Sequence, residues 1–400
     1  MRILYIDVVC KSGSTGKIVY ELYSAVNAAG DTAAVCYGRG AAVEGENIYK
    51  FGLDRETLLH AALTRITGLT GCWSYFSTKR LLRFIDEFKP DIIHLHEPHA
   101  YFLNIKPLFE YIKAHNIPLV YTFHCEYAYT GKCGFANDCE RWKTGCGHCP
   151  RLKEYPKSAF LDFTAKMWRD KRKMLAGLNM TICTPSKWLA DRVKASFLAD
   201  YNVRVVPNGI DTEVFRPTDY AELKKRHGLS DERVVLAVAP KILEDPRKGG
   251  AEVLKLAESM REENVRFFII GADKPAENAP ENVCVIQRTE NQRELAAYYS
   301  MADIFVICSD MENLPTTCLE ALCCGTPVAG YDAGGTAETA PEGLGLFCPY
   351  GDTQALRENV KALLDSSVQP EDFAAVRERC SSAHMYEEYS KIYRQIMDNK

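Results

Sequence analysis

The 400-residue sequence contains no apolar run long enough to span a bilayer and no strong excess of charge of either sign. The first absence excludes a membrane-spanning helix, which needs about 20 consecutive apolar residues. The second, a formal net charge of −4, removes any reason to expect nucleic acid as a partner, because non-specific binding of that kind rests on a basic surface. No leader precedes the first strand-like residues, Met-Arg-Ile-Leu-Tyr-Ile-Asp, so the expected location is cytoplasmic. A Walker motif is also missing. In Lys11-Ser-Gly-Ser-Thr-Gly-Lys17, Lys11 stands where glycine is required and Ile18 where Ser or Thr would hold magnesium.

With 46% apolar and 26% charged residues, the chain can bury ordinary cores, and its length suits two domains of about 200 residues each. Sixteen cysteines is high. Most, such as Cys183, Cys308, Cys318 and Cys323, sit inside apolar runs and read as small hydrophobes.

The most informative stretch is Ile304 to Glu338. Its pattern is a buried strand from Ile304 to Ile307, an acidic loop, a short helix opened by Pro315 and closed by Gly325 and Pro327, a second strand from Thr326 to Gly330, and a loop at Gly334-Gly335. In a parallel sheet both loops leave the same rim, where ligands of such sheets bind. Glu312 in the loop and Glu320 on the helix have seven residues between them. The N–H groups near Asn313, Leu314, Pro315 and Thr316 open the helix. Carboxylates accept from hydroxyls and a helix N-terminus favours an anion, so this combination suits a polyol joined to a phosphate. Two carboxylates near a helix start can also simply cap it.

The ordered set Glu312, Glu320, Ala321, Gly325, Pro327, Val328, Gly334, Gly335 and Glu338 resembles the signature of glycosyltransferase family 4, retaining enzymes of GT-B fold. The resemblance implies an α/β chain of two doubly wound, Rossmann-like domains facing across a cleft, with a nucleotide sugar of UDP or GDP type as donor. It implies a metal-independent hexosyl transfer to a sugar or lipid-linked sugar acceptor, in bacterial polysaccharide or glycolipid assembly. No Asp-x-Asp pair is present, so basic residues and helix N-termini are expected to stabilise the leaving diphosphate. Glu312 is then assigned to donor-sugar hydroxyls, Glu320 to the ribose, Lys241 and Lys248 to the phosphates, and the Arg288 loop to the base. In the same terms Gly13, Ser14, Thr15 and Gly16 form a loop that brings backbone N–H groups against a diphosphate, and His124, where relatives have T-x-H-D, faces the donor sugar. Cys125 replaces the aspartate of that motif. The expected boundaries are an acceptor-side domain over 1–211 with an insertion at 125–150, a donor domain over 218–383, and a final helix over 384–400 that packs back on the first domain.

Two further stretches carry chemistry. His94, His96 and His99 tempt a metal assignment, but only alternate strand residues share a face and His99 lies beyond Pro98; we read them as hydrogen-bonded or lining a cleft. Cys133, Cys139, Cys146 and Cys149 fall within seventeen residues, the last two spaced C-x-x-C among glycines. Structural zinc is the favoured reading, with free or redox thiols and an iron–sulfur cluster as alternatives. The segment from Lys157 to Leu178 reads as a basic amphipathic helix, a solvated face or a peripheral contact with an anionic membrane. Against the transferase stand a nucleotide-sugar epimerase or hydrolase of the same fold, which needs no acceptor, and a zinc-containing adaptor, which binds no sugar nucleotide.

Overall fold

The computed structural model describes residues 1–399 except Pro275, Glu277, Asn278 and Ser367. The chain forms two units, Met1–Pro207 together with Tyr386–Lys400, and Asn208–Met385. Each is built on an all-parallel sheet with helices, the α/β class that near-continuous apolar strands predict.

In the first unit the strands are β1 (Arg2–Asp7), β2 (Thr32–Tyr37), β3 (Ile48–Lys50), β4 (Ile92–Leu95), β5 (Leu119–Thr122), β6 (Met180–Thr184) and β7 (Asn202–Val205). Their order is β3-β2-β1-β4-β5-β6-β7, so the winding reverses between β1 and β4. Ile3, Leu4, Tyr5 and Ile6 are all fully buried, which is why β1 reads as an unbroken apolar run and lies centrally. The helices are α1 (Gly13–Ala28), α2 (Asp54–Thr67), α3 (Tyr75–Phe88), α4 (Ile105–Ala114), α5 (Thr164–Leu175) and α6 (Lys187–Lys194).

The second unit orders its strands β10-β9-β8-β11-β12-β13: β8 (Arg233–Val238), β9 (Val265–Ile270), β10 (Val283–Ile286), β11 (Ile304–Ile307), β12 (Val328–Tyr331) and β13 (Gly345–Cys348). Here the reversal falls between β8 and β11. Around them lie α7 (Ala221–Arg226), α8 (Gly250–Ser259), α9 (Gln292–Met301), α10 (Thr316–Cys323), α11 (Thr353–Leu364) and α12 (Ala374–Arg379). The chain ends with α13 (Ser382–Asp398). Its Tyr393 hydroxyl lies 2.7 Å from His94 Nδ1 and 3.2 Å from the Tyr5 hydroxyl, while Tyr389 meets Thr122 at 2.8 Å.

Several sequence expectations need correcting. The Lys11–Lys17 loop is mostly helix, because α1 already begins at Gly13; the turn before it is closed by Lys11 N–H donating to Gly16 O at 2.9 Å. Asp54 to Phe88, whose pattern alone reads as mostly helical, is two helices. Gly68, at φ +74°, stops the first by turning its N–H back to Thr64 O. The basic helix is shorter than expected, and its Lys171 points inward, with Nζ donating to Tyr127 O and Thr130 O. Pro315 caps α10 rather than occupying its first turn. No helix among the described residues is long and apolar enough to cross a membrane.

Candidate active site

In an open parallel sheet, ligands bind outside the strand C-termini where the winding reverses. In the second unit that point adjoins the loops after β8 and β11, and these loops carry Lys241, Lys248 and Glu312. The structure brings two of them together: Lys248 Nζ lies 2.7 Å from Glu312 Oε1, with both side chains half-buried. Two glycines let the loops approach this closely. A side chain on Gly249 (φ +71°) would place its Cβ 2.0 Å from Cys308 O, and one on Gly334 (φ +74°) would place it 2.0 Å from Glu312 O. Glu312 and Gly334 also pair as a parallel bridge, with Gly335 N–H donating to Glu312 O at 2.9 Å. The glutamate's backbone is therefore tied to the loop after β12 while its side chain turns toward Lys248.

Glu320, on α10, accepts from the Tyr299 hydroxyl at 3.0 Å. Burial, then the charge of Glu320, pushes that phenol well above its usual range, so it remains a donor at neutral pH. Asn313 and Leu314 are buried, and Leu314 O accepts from Asn208 Nδ2 at 3.2 Å; this anchors the segment that leads into Thr316 and the first helical turn. Lys241 reaches Asp273 at 3.1 Å, on a backbone with φ +56°. Arg288 is exposed in the loop after β10. Lys241 and Arg288 thus stand on separate loops of the same unit, with the loop after β9 between them, outside the Lys248–Glu312 pair.

In the first unit, the reversal between β1 and β4 assembles residues that the sequence reading passed over. Asp7 ends β1 and accepts from Glu97 N–H at 3.2 Å. Burial above all, with the nearby Glu97, pushes its carboxyl up to about 7. Glu97 pairs with His99 at 2.5 Å. Burial alone would lower His99, but Glu97 and then Cys125 hold it well above the usual imidazole range. Cys125 Sγ is 3.3 Å from His99 Nε2, and the donor atoms of Glu97, His99 and Cys125 all lie within 4.8 Å of one another, close enough to share a metal ion. The proline between His96 and His99 separates them in sequence but does not keep His99 from the strand rim. His94 and His96 behave as expected: His94 is satisfied by Tyr393 and Thr122, and His96 Nδ1 meets His124 Nε2 at 3.0 Å. Burial lowers His94, His96 and His124 below the usual imidazole range. The signal for Asp7 and Glu97 was available, since both are acidic residues at the C-terminal ends of buried strands.

The four clustered cysteines line a cavity of about 20 Å³ together with Gly131 and Trp142, enough for one water-sized species. Cys133 and Cys149 are hydrogen-bonded to each other, and Gly131 N–H donates to Cys146 Sγ at 3.1 Å. They do not gather into the tight donor group that Glu97, His99 and Cys125 form. Two buried lysines lie beside them: Lys171, pushed down to about 7 by burial, and Lys132, also lowered by burial, with Nζ donating to Glu154 O and Pro156 O.

The two parallel sheets, each with its reversal point, are those of the GT-B fold class. Residues 15–214 match Glycosyltransferase Family 4 and residues 219–380 match Glycosyl transferases group 1; the chain belongs to glycosyltransferase family 4 and is an enzyme that transfers sugars. It is 26% identical over 323 residues to WcaC of Escherichia coli (strain K12), described as a colanic acid biosynthesis glycosyl transferase, with 77% of each chain covered. It is also 26% identical to a GDP-mannose-dependent phosphatidylinositol monomannoside mannosyltransferase of Corynebacterium glutamicum, over 51% of this chain and 57% of that one. Among solved structures it resembles the sucrose-phosphate synthase of Thermosynechococcus elongatus (TM-score 0.69, 18% identity, all of both chains). It likewise resembles Anabaena HepE in complex with UDP-glucose (TM-score 0.67, 14% identity, 99% of this chain and 100% of that one).

Proposed function

We propose that this glycosyltransferase moves a hexosyl group from a UDP- or GDP-sugar to an acceptor hydroxyl, with the donor held on the second unit beside β8 and β11. The observation that carries the reading is the 2.7 Å pair of Lys248 and Glu312 at the reversal point, between glycines that admit no side chain. Lys248 neutralises the diphosphate as its charge grows, and Glu312 accepts from hydroxyls of the transferred sugar. Each holds the other at the rim. The N–H groups at the start of α10 add to the phosphate site, Lys241 supports it, and Glu320 takes the ribose hydroxyls. Arg288 belongs to the loop assigned to the base. For His124 we retain a positioning role at the rim of the first unit.

The E. coli and C. glutamicum relatives support polysaccharide or glycolipid assembly, with a sugar or lipid-linked sugar as acceptor. All sixteen cysteines are free, which suits a reducing, cytoplasmic setting. Cys133, Cys139, Cys146 and Cys149 would hold a structural zinc; the N–H donated to Cys146 and the two lysines buried beside the thiols match a site that carries thiolate charge. Zinc there would supply local order, not chemistry.

The test is a thermal-shift screen against UDP, GDP and their sugars, followed by transfer assays. A true donor at 100 times its dissociation constant adds about 2.7 kcal/mol. Product that forms only when acceptor is present excludes the epimerase or hydrolase reading. A wild-type protein that binds no sugar nucleotide would end the proposal.

A further inference from the structure

Helix α2 is built inside out. Its inward face is formed by Thr57, His60, Ala61 and Thr64, all buried. These residues are satisfied locally: His60 Nδ1 meets Ser74 Oγ at 2.7 Å, Gly71 N–H donates to His60 Nε2 at 3.1 Å, and Thr64 donates to Leu69 O. The outward face carries the apolar residues instead, with Leu58 72% exposed, Leu59 58% and Ile66 51%. At 100° per residue these three fall, with Arg55 and Arg65, within about a third of the circumference. A solvated helix has the opposite arrangement.

The surface continues beyond the helix. Glu56 accepts from the N–H groups of Phe76 and Ser77 at 2.8 Å, which sets the exposed Tyr75 and Phe76 at the start of α3 beside α2. At the other end of α2, Ala159 N–H donates to Arg65 O at 2.7 Å and Gly68 packs on Ser158 and Leu161. This joins the segment bearing Phe160, 78% exposed. Of the large exposed apolar side chains in the described residues, all but Val205 and Tyr350 lie between 53–76 and 155–163, so the exposure is one patch and not the scatter of an ordinary surface. Exposed Lys79, Arg83 and Lys157 flank it. Nearby carboxylates are already engaged: Glu56 caps α3, Asp54 pairs with Lys50, and Asp162 accepts from Cys149 and Thr164.

We propose that this face of the first unit, α2 with the start of α3 and the Phe160 loop, docks on an anionic lipid surface. Apolar side chains enter the headgroup boundary and the surrounding Arg and Lys side chains meet lipid phosphates. The choice of a bilayer follows from the combination of aromatic and leucine side chains with unopposed basic ones. Basic α5, the segment singled out from sequence, turns part of its charge inward through Lys171 and is not the main contact. The proposal does not depend on the donor site, which belongs to the other unit.

Sedimentation of the full chain with vesicles tests it. Wild type should pellet with phosphatidylglycerol–phosphatidylcholine vesicles and much less with phosphatidylcholine alone. Leu58→Ser with Leu59→Ser and Phe160→Ser should weaken binding to the mixed vesicles about tenfold or more. Arg55→Glu with Arg65→Glu should remove the preference for anionic lipid, at about fivefold per basic side chain. Because these side chains are exposed, both variants should keep the wild-type melting temperature and transfer to a water-soluble acceptor. Wild type that stays in the supernatant with both vesicle types, or variants that pellet like wild type, would overturn the proposal. A wild-type dimer that becomes monomeric in the serine variant during sedimentation velocity would assign the face to a second copy of the chain and also overturn it.

Discussion

At the scale of single residues, the pairing of Lys248 with Glu312 makes their mutants distinguishable. Lys248→Ala should lower turnover roughly tenfold to a hundredfold, because a charge-assisted contact realised in the transition state is worth about 1.5 to 3 kcal/mol. Glu312→Gln should leave UDP or GDP affinity nearly intact while transfer falls about a hundredfold, since the sugar's position is what is lost. Parallel calorimetry and transfer assays separate the two, and equal transfer by Glu312→Gln and wild type would remove that residue from the site. Glu320→Ala should weaken nucleotide binding about tenfold, whether or not a sugar is attached. Part of this was legible in the sequence, because Glu312, Glu320, Gly334 and Lys248 announce themselves by residue type and spacing. Their mutual contact was not. It depends on Gly249 and Gly334 letting two loops from different crossovers touch, and linear spacing carries no record of that approach. The same limit hid the meeting of Glu97 and His99 with Cys125, which stands on a different loop.

Among the elements, strands were easiest to read, since the apolar runs Ile3 to Ile6 of β1 and Ile304 to Ile307 of β11 are buried throughout. Helices were read less well. The eye that looks for an apolar face takes it to be the inner one, and α2 reverses that rule; only the contacts of His60 and Thr64 reveal which side is in. The cysteine segment is the other element whose spacing was suggestive and whose geometry is looser than expected. If it holds zinc, protein purified without added metal should contain about one zinc per chain, and the Cys146→Ser, Cys149→Ser double mutant almost none. Equal, negligible metal in both would leave these four as ordinary thiols. Chelation, on the zinc reading, should lower the melting temperature while leaving nucleotide affinity unchanged, as befits a site that orders a loop.

For the molecule as a whole, acid should be destabilising, and the sign can be worked out from the first unit. Burial holds His60 down at about 3 and keeps His94, His96 and His124 low as well, whereas His99 is raised by Glu97 and Asp7 is raised to about 7. As pH falls toward 5 the unfolded chain protonates all five of these histidines, whereas in the fold burial opposes the proton at His60, His94, His96 and His124, and only His99 and Asp7 favour it. The resisting groups outnumber the others, so stability should fall as pH drops from 7 toward 5, by up to about 1.4 kcal/mol per pH unit for each net proton. Urea melts across that range would show it, and a midpoint that stayed level or rose would contradict the assignment of these groups as neutral in the fold.

The hydrogen bonds from Tyr393 to His94 and Tyr5, and from Tyr389 to Thr122, have a consequence for how the chain is made. The ribosome releases the central strands of the first unit early, but their polar partners arrive with the last turns of α13. The second unit has all its own residues first. Synthesis therefore runs from the N-terminus while completion of the first unit waits on α13, and until that helix is made His94 Nδ1 lacks its partner. A nascent chain stalled before Tyr386 should yield a protease-resistant second unit and a first unit that is cut readily. Supplying the missing residues as a separate peptide should restore resistance, because a buried polar group left without its partner costs about 1–3 kcal/mol.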